Sequence, residues 1–590
     1  MRQSRNVAVA PWRMITGIVN RLMIATTGHR RLFGIAFLSI CLFAQSAWTA
    51  WVATPNVDEV GLLAAGVHHW TEGRFDLYRV NPPLVKLVAA LPIVLMNPSL
   101  NWRNVRSTIG ARTEWQVGND FLKVNPGRAM PFIRAARLSV IPFSLLGMLL
   151  CFLWSRDLWG ETAGLFSAAL WCFSPTIVTW SSTITSDVPA AALAAGASYC
   201  FWKHFQSGWT RYGIAAGVAL GFACLAKFTC LLLFPLWLSL VFITRNGSWG
   251  VRLRSIIAIK VVAILIINAG YCFERTCECV GDFVFVSRTL AGSESLLDGG
   301  PGGNLSARSW LGGMPVPLPA NMLIGMDLQK FDFERGTRNF LLGEWKSGGW
   351  WYYYVIAFLV KEPVGTLLLI VLATVEHFRR RTADAGVRQS EWLLCILGGG
   401  IFALVSSQTG ICRYLRYMIP AFPFLYVWMA RTVCDAVSLK QKSVAWVCVV
   451  LSAASALHAV PHSLTYFNEL VGGSRWGHYV LADANIDWGH DYGFLKSWIE
   501  ENDDARPICL DLLPVCDLQP LGLDQYETIL QQHARLQNPY LISEGWYAMS
   551  AHQMHLDDGF HRFFLNKEPS AVIGGSVYIF QVGEAAIAGD

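Results

Sequence analysis

Two adjacent acids, Asp58 and Glu59, stand in TPNVDEVGLLAAG, just past an apolar run long enough to cross a membrane. Asn56 is placed to cap a helix running toward Trp70. Glu59, three residues on, completes a capping box, so Asp58 falls in the first turn. Carboxylates are favoured there because that end of the helix dipole is positive. On the plainer reading the pair is local helix chemistry. On the other, the dipole keeps Asp58 ionised as a general base where a membrane meets water, with Glu59 supporting the helix end. Asp187, beside Pro189, is a third acid at a helix start, able to orient a substrate or the base. Arg416 offers a planar fork that can grip a phosphate in two places, or else an interfacial arginine reaching for headgroups. Arg79 and Lys86 flank Pro82-Pro83 and add positive charge, which beside such a helix usually meets anionic lipid. Lys361 and Glu362 lie inside a long apolar stretch, where ionisable side chains are costly and usually functional or paired with one another.

The elements that must hold these groups are membrane helices. The chain has 590 residues, 53% hydrophobic and 15% charged, with 25 tryptophans, and its mean hydropathy is +0.38. That balance lies outside ordinary soluble domains and marks a polytopic membrane protein. Residues 1–31 carry arginines but no acid, and the run 32–53 lacks a convincing cleavage site, so it reads as a retained first span. Ten more apolar runs follow, at 134–154, 161–181, 187–206, 211–228, 229–244, 255–274, 351–376, 391–408, 413–432 and 443–460. With eleven spans and the basic N-terminus cytoplasmic, the short arginine- and lysine-rich loops all fall on the cytoplasmic side. Three segments then lie outside: loops 54–133 and 275–350, and a soluble-looking region 461–590. The expected organisation is a basic tail 1–31, a membrane domain 32–460 and an external region 461–590. Leu84 to Met96 is apolar but short for a span and reads as an interfacial helix.

Several other signals are weak. The 15 cysteines are scattered, many of them inside apolar runs, where cysteine acts as a small hydrophobe. Cys277 with Cys279, or Cys509 with Cys516, would pair only in an oxidising compartment. Asp483, Asn485, Asp487 and Asp491 superficially match a calcium loop, but Trp488 stands where that loop needs glycine and Phe494 where its closing glutamate belongs. A structural turn, or a surface for acceptors, fits them better. His68-His69 reads as an interfacial pair and not a metal site. No phosphate-binding GxxxxGK[ST] occurs, so nothing in the sequence indicates nucleotide-driven pumping. The net charge of +6 is concentrated in short loops, where it sets orientation and suggests no nucleic-acid partner.

VDEVGLLAAGVHHWTEGRFDLYRVNPPLVKLVAALP resembles the first external loop of the GT-C glycosyltransferases that use polyprenyl-phosphate sugars, the superfamily of protein O-mannosyltransferases and lipid A aminoarabinose transferases. The shared pieces are Asp58-Glu59, the turn Gly73 to Asp76, and Pro82-Pro83-Leu84. STITSDVPAAALAA is similar to the family's second external acid, at Asp187. LLGEWKSGGWWYYYVIAFLVKEP and RYLRYMIPAFPF are similar to segments of bacterial members, the latter through Arg416 to Pro420. YFNELVGG and LADANIDWGHDYGFLKSW resemble a tail block of a bacterial subgroup. Val80-Asn81 precedes the double proline where aminoarabinose transferases carry Glu-Lys and protein mannosyltransferases a histidine. No metal ligand or phosphate lysine is therefore carried to those two positions.

The resemblance implies a GT-C fold with interfacial helices in the first loop and a small mixed α/β external tail. It implies inverting transfer of a sugar from a polyprenyl-phosphate donor to an extracytoplasmic hydroxyl of a glycan, lipid or protein. Asp58 would be the base, in a candidate set with Glu59 and Asp187; Arg416, Lys86 and Arg79 would meet the donor phosphate. A divalent cation stays open, with no ligand set assigned. In a bacterial source the donor lipid would be undecaprenyl phosphate and the membrane the inner one, with the tail periplasmic. Two other functions fit a polytopic chain of this kind: a transporter or flippase for lipid-linked sugars, and a non-catalytic sugar-lipid binder. A flippase predicts paired repeats with broken helices and midplane charges, and of these only Lys361-Glu362 is present.

Overall fold

The computed structural model describes residues 10–243, 249–379, 385–434, 437–514 and 518–587. Helix α1 (Ala10–Val52) leads directly into α2 (Val57–Glu72). The capping box expected at Asn56 is present: its side chain accepts from the Glu59 backbone N–H, and the Glu59 carboxylate accepts from that of Asn56. α2 ends at Gly73, whose left-handed φ of 66° suits a residue without Cβ. α3 (Pro83–Leu95) starts on its proline, which needs no N–H there. α4 (Glu114–Lys123) precedes α5 (Ala129–Trp159).

Glycine lets these elements approach closely. A Cβ on Gly66 of α2 would lie 2.1 Å from the carbonyl oxygen of Lys86 in α3, and one on Gly118 of α4 would lie 2.7 Å from that of Val60. α2 is therefore clamped on two sides by backbone, which fixes where its first turn points. α3 buries Val85, Ala89 and Ile93 and leaves Leu91 and Leu95 exposed, an apolar outer edge of the kind expected of an interfacial helix.

Within the described residues all eleven apolar runs fall on helical elements, several of them interrupted. Among the described residues four helices are long and apolar enough to cross a membrane: Arg31–Val52, Ala129–Trp159, Gly386–Ser407 and Leu439–Ala459; counting two bent pairs makes six. The pairs are Glu161–Cys172 with Pro175–Ser181, bent by 64°, and Tyr353–Lys361 with Val364–Arg379, bent by 116°. The chain is thus a helical membrane protein with several apolar spans, and exposed Phe33, Ile40 and Trp48 give α1 an apolar outer face. Large rings such as Trp154, Trp171 and Trp237 fill the interior. Around Arg416 the run 413–432 winds as a 3-10 helix (Leu415–Ala421) before the α-helix Phe422–Met429. Pro420 and Pro423 lack the N–H groups a regular α-helix needs there.

The second bend corrects one expectation. Lys361 and Glu362 do not pair with one another, because Pro363 breaks the helix and sends them to different partners. Lys361 Nζ donates to the carbonyls of Leu464 and Asn485 at 2.6 and 2.7 Å. Glu362 accepts from Thr176 at 2.7 Å and from Ser174.

The tail is a small mixed sheet. Ile508–Asp511 runs parallel to Gly545–Ser550, which pairs antiparallel with Val577–Val582, itself antiparallel to Ala571–Ile573. The stretch 483–491 stitches this region to the membrane helices. The Asn485 side chain accepts from the Leu415 N–H at 3.0 Å and donates to Tyr353 Oη at 2.8 Å. The His490 carbonyl accepts from both the N–H and the hydroxyl of Thr54. Asp491 accepts from Ser576 and bonds His462. Asp491 is thus a structural fastener. Cys277 and Cys279 are free thiols, and Cys516 lies outside the described residues.

Candidate active site

A cavity of about 780 Å³ opens beside the first turn of α2, lined by Asp58, Asp187 and Arg416 together with Lys227, Tyr78 and Tyr417. The acids and cations alternate. Arg416 Nη2 donates to Asp58 Oδ2 at 2.6 Å, and its Nε lies 3.9 Å from Asp187 Oδ2. Lys227 Nζ closes the chain on Asp187 Oδ1. Aromatic rings hold the two cations: the Arg416 guanidinium lies 4.8 Å from the Trp180 ring centre and 4.6 Å from that of Tyr414, and Lys227 lies 4.7 Å from Tyr417. Such cation–π contacts fix a charge without neutralising it. Asp58 is the more open carboxylate, its side chain 16% exposed against 4% for Asp187.

Local sequence explains the placement. Asp187 opens α6 (Asp187–Ser207) after the Ser/Thr run at 181–186, and Lys227 is the residue on which α7 (Thr210–Ala226) ends. α6 and α7 form a hairpin, so its first and last residues meet. That closure is why Lys227 escaped the sequence reading: in one dimension it is a lone cation between two apolar runs. Arg112, Arg335 and Arg413 also line the cavity and were equally invisible.

Three expected site residues stand behind the cavity. Glu59 is fully buried against Arg137, with Nη2 and Nε at 2.6 and 2.7 Å, and accepts from the N–H of Ile184 at 2.9 Å. Burial works against its charge, but the Arg137 guanidinium and these bonds outweigh it and hold the carboxyl below the usual range. Ile184 leads into Asp187, so Glu59 ties the turn bearing Asp58 to the segment bearing Asp187. Lys86 is buried and donates to the Tyr78 carbonyl at 3.0 Å; burial lowers its pKa to about 7. Tyr78 has a left-handed φ of 57°, uncommon for a bulky residue, and its hydroxyl donates to Asp58 Oδ1 at 3.1 Å. Lys86 therefore braces the turn that presents a partner to Asp58, and does not itself line the cavity. Arg79 donates to Asn321 Oδ1 at 2.7 Å and fastens the first loop to the helix Ala320–Arg335. The sequence expectation grouped Lys86 and Arg79 with Arg416 by charge alone; the structure separates them.

Each cavity carboxylate already faces a cationic side chain, and among the described residues no group of three or more His, Cys, Asp or Glu could hold a metal. His68 and His69 pack on Trp102 and Phe75 instead.

Residues 132–270, which include Arg137, Asp187 and Lys227, match the family described as dolichyl-phosphate-mannose-protein mannosyltransferase. This bears out the GT-C resemblance. No curated protein matches the chain. Among solved structures it is similar to ArnT from Cupriavidus metallidurans in the apo state: 12% identity over 94% of this chain and 98% of that one, TM-score 0.45. The same protein bound to undecaprenyl phosphate gives 13%, 93% and 97%, with TM-score 0.46. The apo oligosaccharyltransferase of Archaeoglobus fulgidus gives 12%, 80% and 58%, with TM-score 0.42.

Proposed function

We propose that this chain, a lipid-phosphate-sugar-dependent membrane glycosyltransferase of the family matched at residues 132–270, transfers the sugar of a polyprenyl phosphate to an extracytoplasmic hydroxyl in one inverting displacement, with Asp58 as base. The acceptor oxygen forms its bond to the anomeric carbon and gives its proton to Asp58. The bond from that carbon to the phosphate oxygen breaks on the opposite face, and the electron pair leaves with the polyprenyl phosphate. Arg416 and Lys227 meet the charge that develops there, a role in which a preorganised cation in a partly dry site is most effective. Asp187 holds the two cations in register, and Glu59 with Lys86 positions the carboxylates from behind. In the membrane all eleven runs cross or re-enter the bilayer, with this cavity and the tail on the outer side. Undecaprenyl phosphate is the donor carrier in a bacterial source.

What supports this reading is the meeting of an accessible carboxylate with two ring-held cations on one cavity of about 780 Å³. The test is turnover. Membranes containing the chain are incubated with a panel of radiolabelled polyprenyl-phosphate sugars, and the label is followed into non-extractable or newly polar product. Movement of intact donor across the bilayer without bond cleavage would make the protein a flippase and end the proposal.

A further inference from the structure

A second cavity, of about 360 Å³, lies where the antiparallel strands Arg338–Leu341 and Glu344–Ser347 meet the tail, and it shares a wall with the first. Arg413 lines both. Val57, the neighbour of Asp58, lines the second, so the two spaces approach the same helix start from two directions. Arg413 stands between the two: its Nη1 pairs with Asp483 Oδ2 at 3.1 Å, and its Nη2 donates to the Arg338 carbonyl at 3.1 Å. Trp488, beside this wall, packs edge-on against Tyr414 at 5.4 Å between ring centres.

The lining has the chemistry of a neutral polyol site. Trp345 and Trp488 contribute flat apolar surface, and the first is fastened in place by its indole N–H on the His555 carbonyl at 2.6 Å. The lining carries two guanidiniums, of Arg338 and Arg413, and two carboxylates, of Asp483, which pairs with Arg413, and of Asp557, which pairs with Arg562 outside it, with His552 between. A phosphate or carboxylate ligand would meet the Asp483 and Asp557 carboxylates on the lining itself. A hydroxyl both donates and accepts, and suits a lining that offers both. The volume sits at the small end of the range of about 300–1,000 Å³ for small-ligand sites.

We propose that this second cavity is the acceptor subsite, and that it binds a saccharide unit through the Trp345–Trp488 surfaces and the Arg338, Asp483, His552 and Asp557 side chains. The inference rests on the donor reading above and names the substrate class of the opposite side. A sugar seated there turns one hydroxyl past Arg413 toward Asp58, where it loses its proton as its oxygen bonds the anomeric carbon and the polyprenyl phosphate departs. The acceptor is therefore a glycan or glycolipid, and a peptide hydroxyl is the excluded alternative.

The experiment uses the full chain in lipid nanodiscs without donor. Diazirine-bearing methyl glycosides of glucose, galactose, mannose and N-acetylglucosamine, and a serine/threonine hexapeptide with the same group, are photolysed on the protein and the labelled positions mapped by mass spectrometry. At least one glycoside should label the stretches 338–345 or 552–557, be competed by its unlabelled form, and lose fivefold or more labelling in both His552→Ala and Asp557→Asn. His552 is half-buried and Asp557 exposed, which protects the fold. Labelling by the peptide alone, labelling elsewhere, or labelling undiminished in the two variants overturns the proposal. Binding of undecaprenyl phosphate to the same discs is measured in parallel; its absence strikes the donor reading alone.

Discussion

Replacing Asp58 by asparagine should separate catalysis from donor binding, and should move them in opposite directions. The amide keeps the size of the side chain and can still accept from Arg416 or from Tyr78, which bond the carboxylate at 2.6 and 3.1 Å. It cannot take a proton, so the general-base contribution is lost, and turnover should fall by a factor of roughly 10²–10⁴. Meanwhile the cavity gains one net positive charge, because two acids facing two cations become one acid facing two. A phosphate about 7 Å from the lost carboxylate, at an effective dielectric constant of about 20, is relieved of roughly 2 kcal/mol of repulsion. Solvent reaches Asp58, so roughly half of this or more should survive, which is about a five- to thirtyfold tighter hold on the lipid phosphate. The assay pairs initial rates of sugar transfer in proteoliposomes with titration of undecaprenyl phosphate by thermal shift on the same preparation. Near-normal transfer removes Asp58 from its role. Weaker lipid binding, in step with the loss of rate, would mean that Asp58 only props Arg416.

Lys227→Met should leave Asp187 facing Arg416 alone and weaken lipid-phosphate binding about tenfold or more, with partial recovery in Lys227→Arg; the same titration reads it, and unchanged affinity refutes the assignment. Glu59→Gln strands Arg137, which has no exposed surface, and should cost about 3–5 kcal/mol, seen as a lower unfolding temperature in detergent. Because the Glu59 carboxyl is held below its ordinary range, its contribution is present above the unfolded pKa and disappears as pH falls through the folded one; the glutamine variant should lack that part of the acid limb. Asp487 in the tail is the reverse case. Burial raises its pKa to about 7 from 3.8, so the folded state holds an extra proton between those values and stability falls as pH rises through that window. Asp487→Asn should flatten this slope by a few kcal/mol, measured by unfolding at pH 5 and pH 8.

The sequence carried the parts of the site that depend on local rules. Asn56 and Glu59 form the capping box their spacing required, which put Asp58 in a first turn, and the winding at Arg416 follows from Pro420 and Pro423. Apolar runs located the helices but not their breaks: the bend of 116° after Lys361 turns on a single Pro363 and on tail carbonyls more than a hundred residues away. Lys227 joins the cavity only because α6 and α7 fold back on one another, a fact of tertiary closure with no spacing signature. Lys86 failed in the other direction. Its type suggested a phosphate, yet burial makes its charge expensive, and its ammonium is used on the carbonyl of a left-handed Tyr78.

The alternating order of charges also constrains how the proposed step can run. A sugar phosphodiester brings one negative charge, and its polyprenyl phosphate product carries about two, while Asp58 loses its charge on taking the acceptor's proton. The total within the cavity therefore does not change; negative charge moves from the carboxylate to the phosphate. Arg416 stands between, already bonded to the carboxylate that gives the charge up and close enough to Asp187 to keep a second partner. It can follow the charge by shifting its fork without leaving the cavity, and the rings of Trp180 and Tyr414 hold it through the shift. Lys227 stays on Asp187 throughout, so the site is never left with an unpaired buried acid. Two cations are needed for this exchange, one to move with the charge and one to stand still, and a site with either alone would pay for turnover in stability.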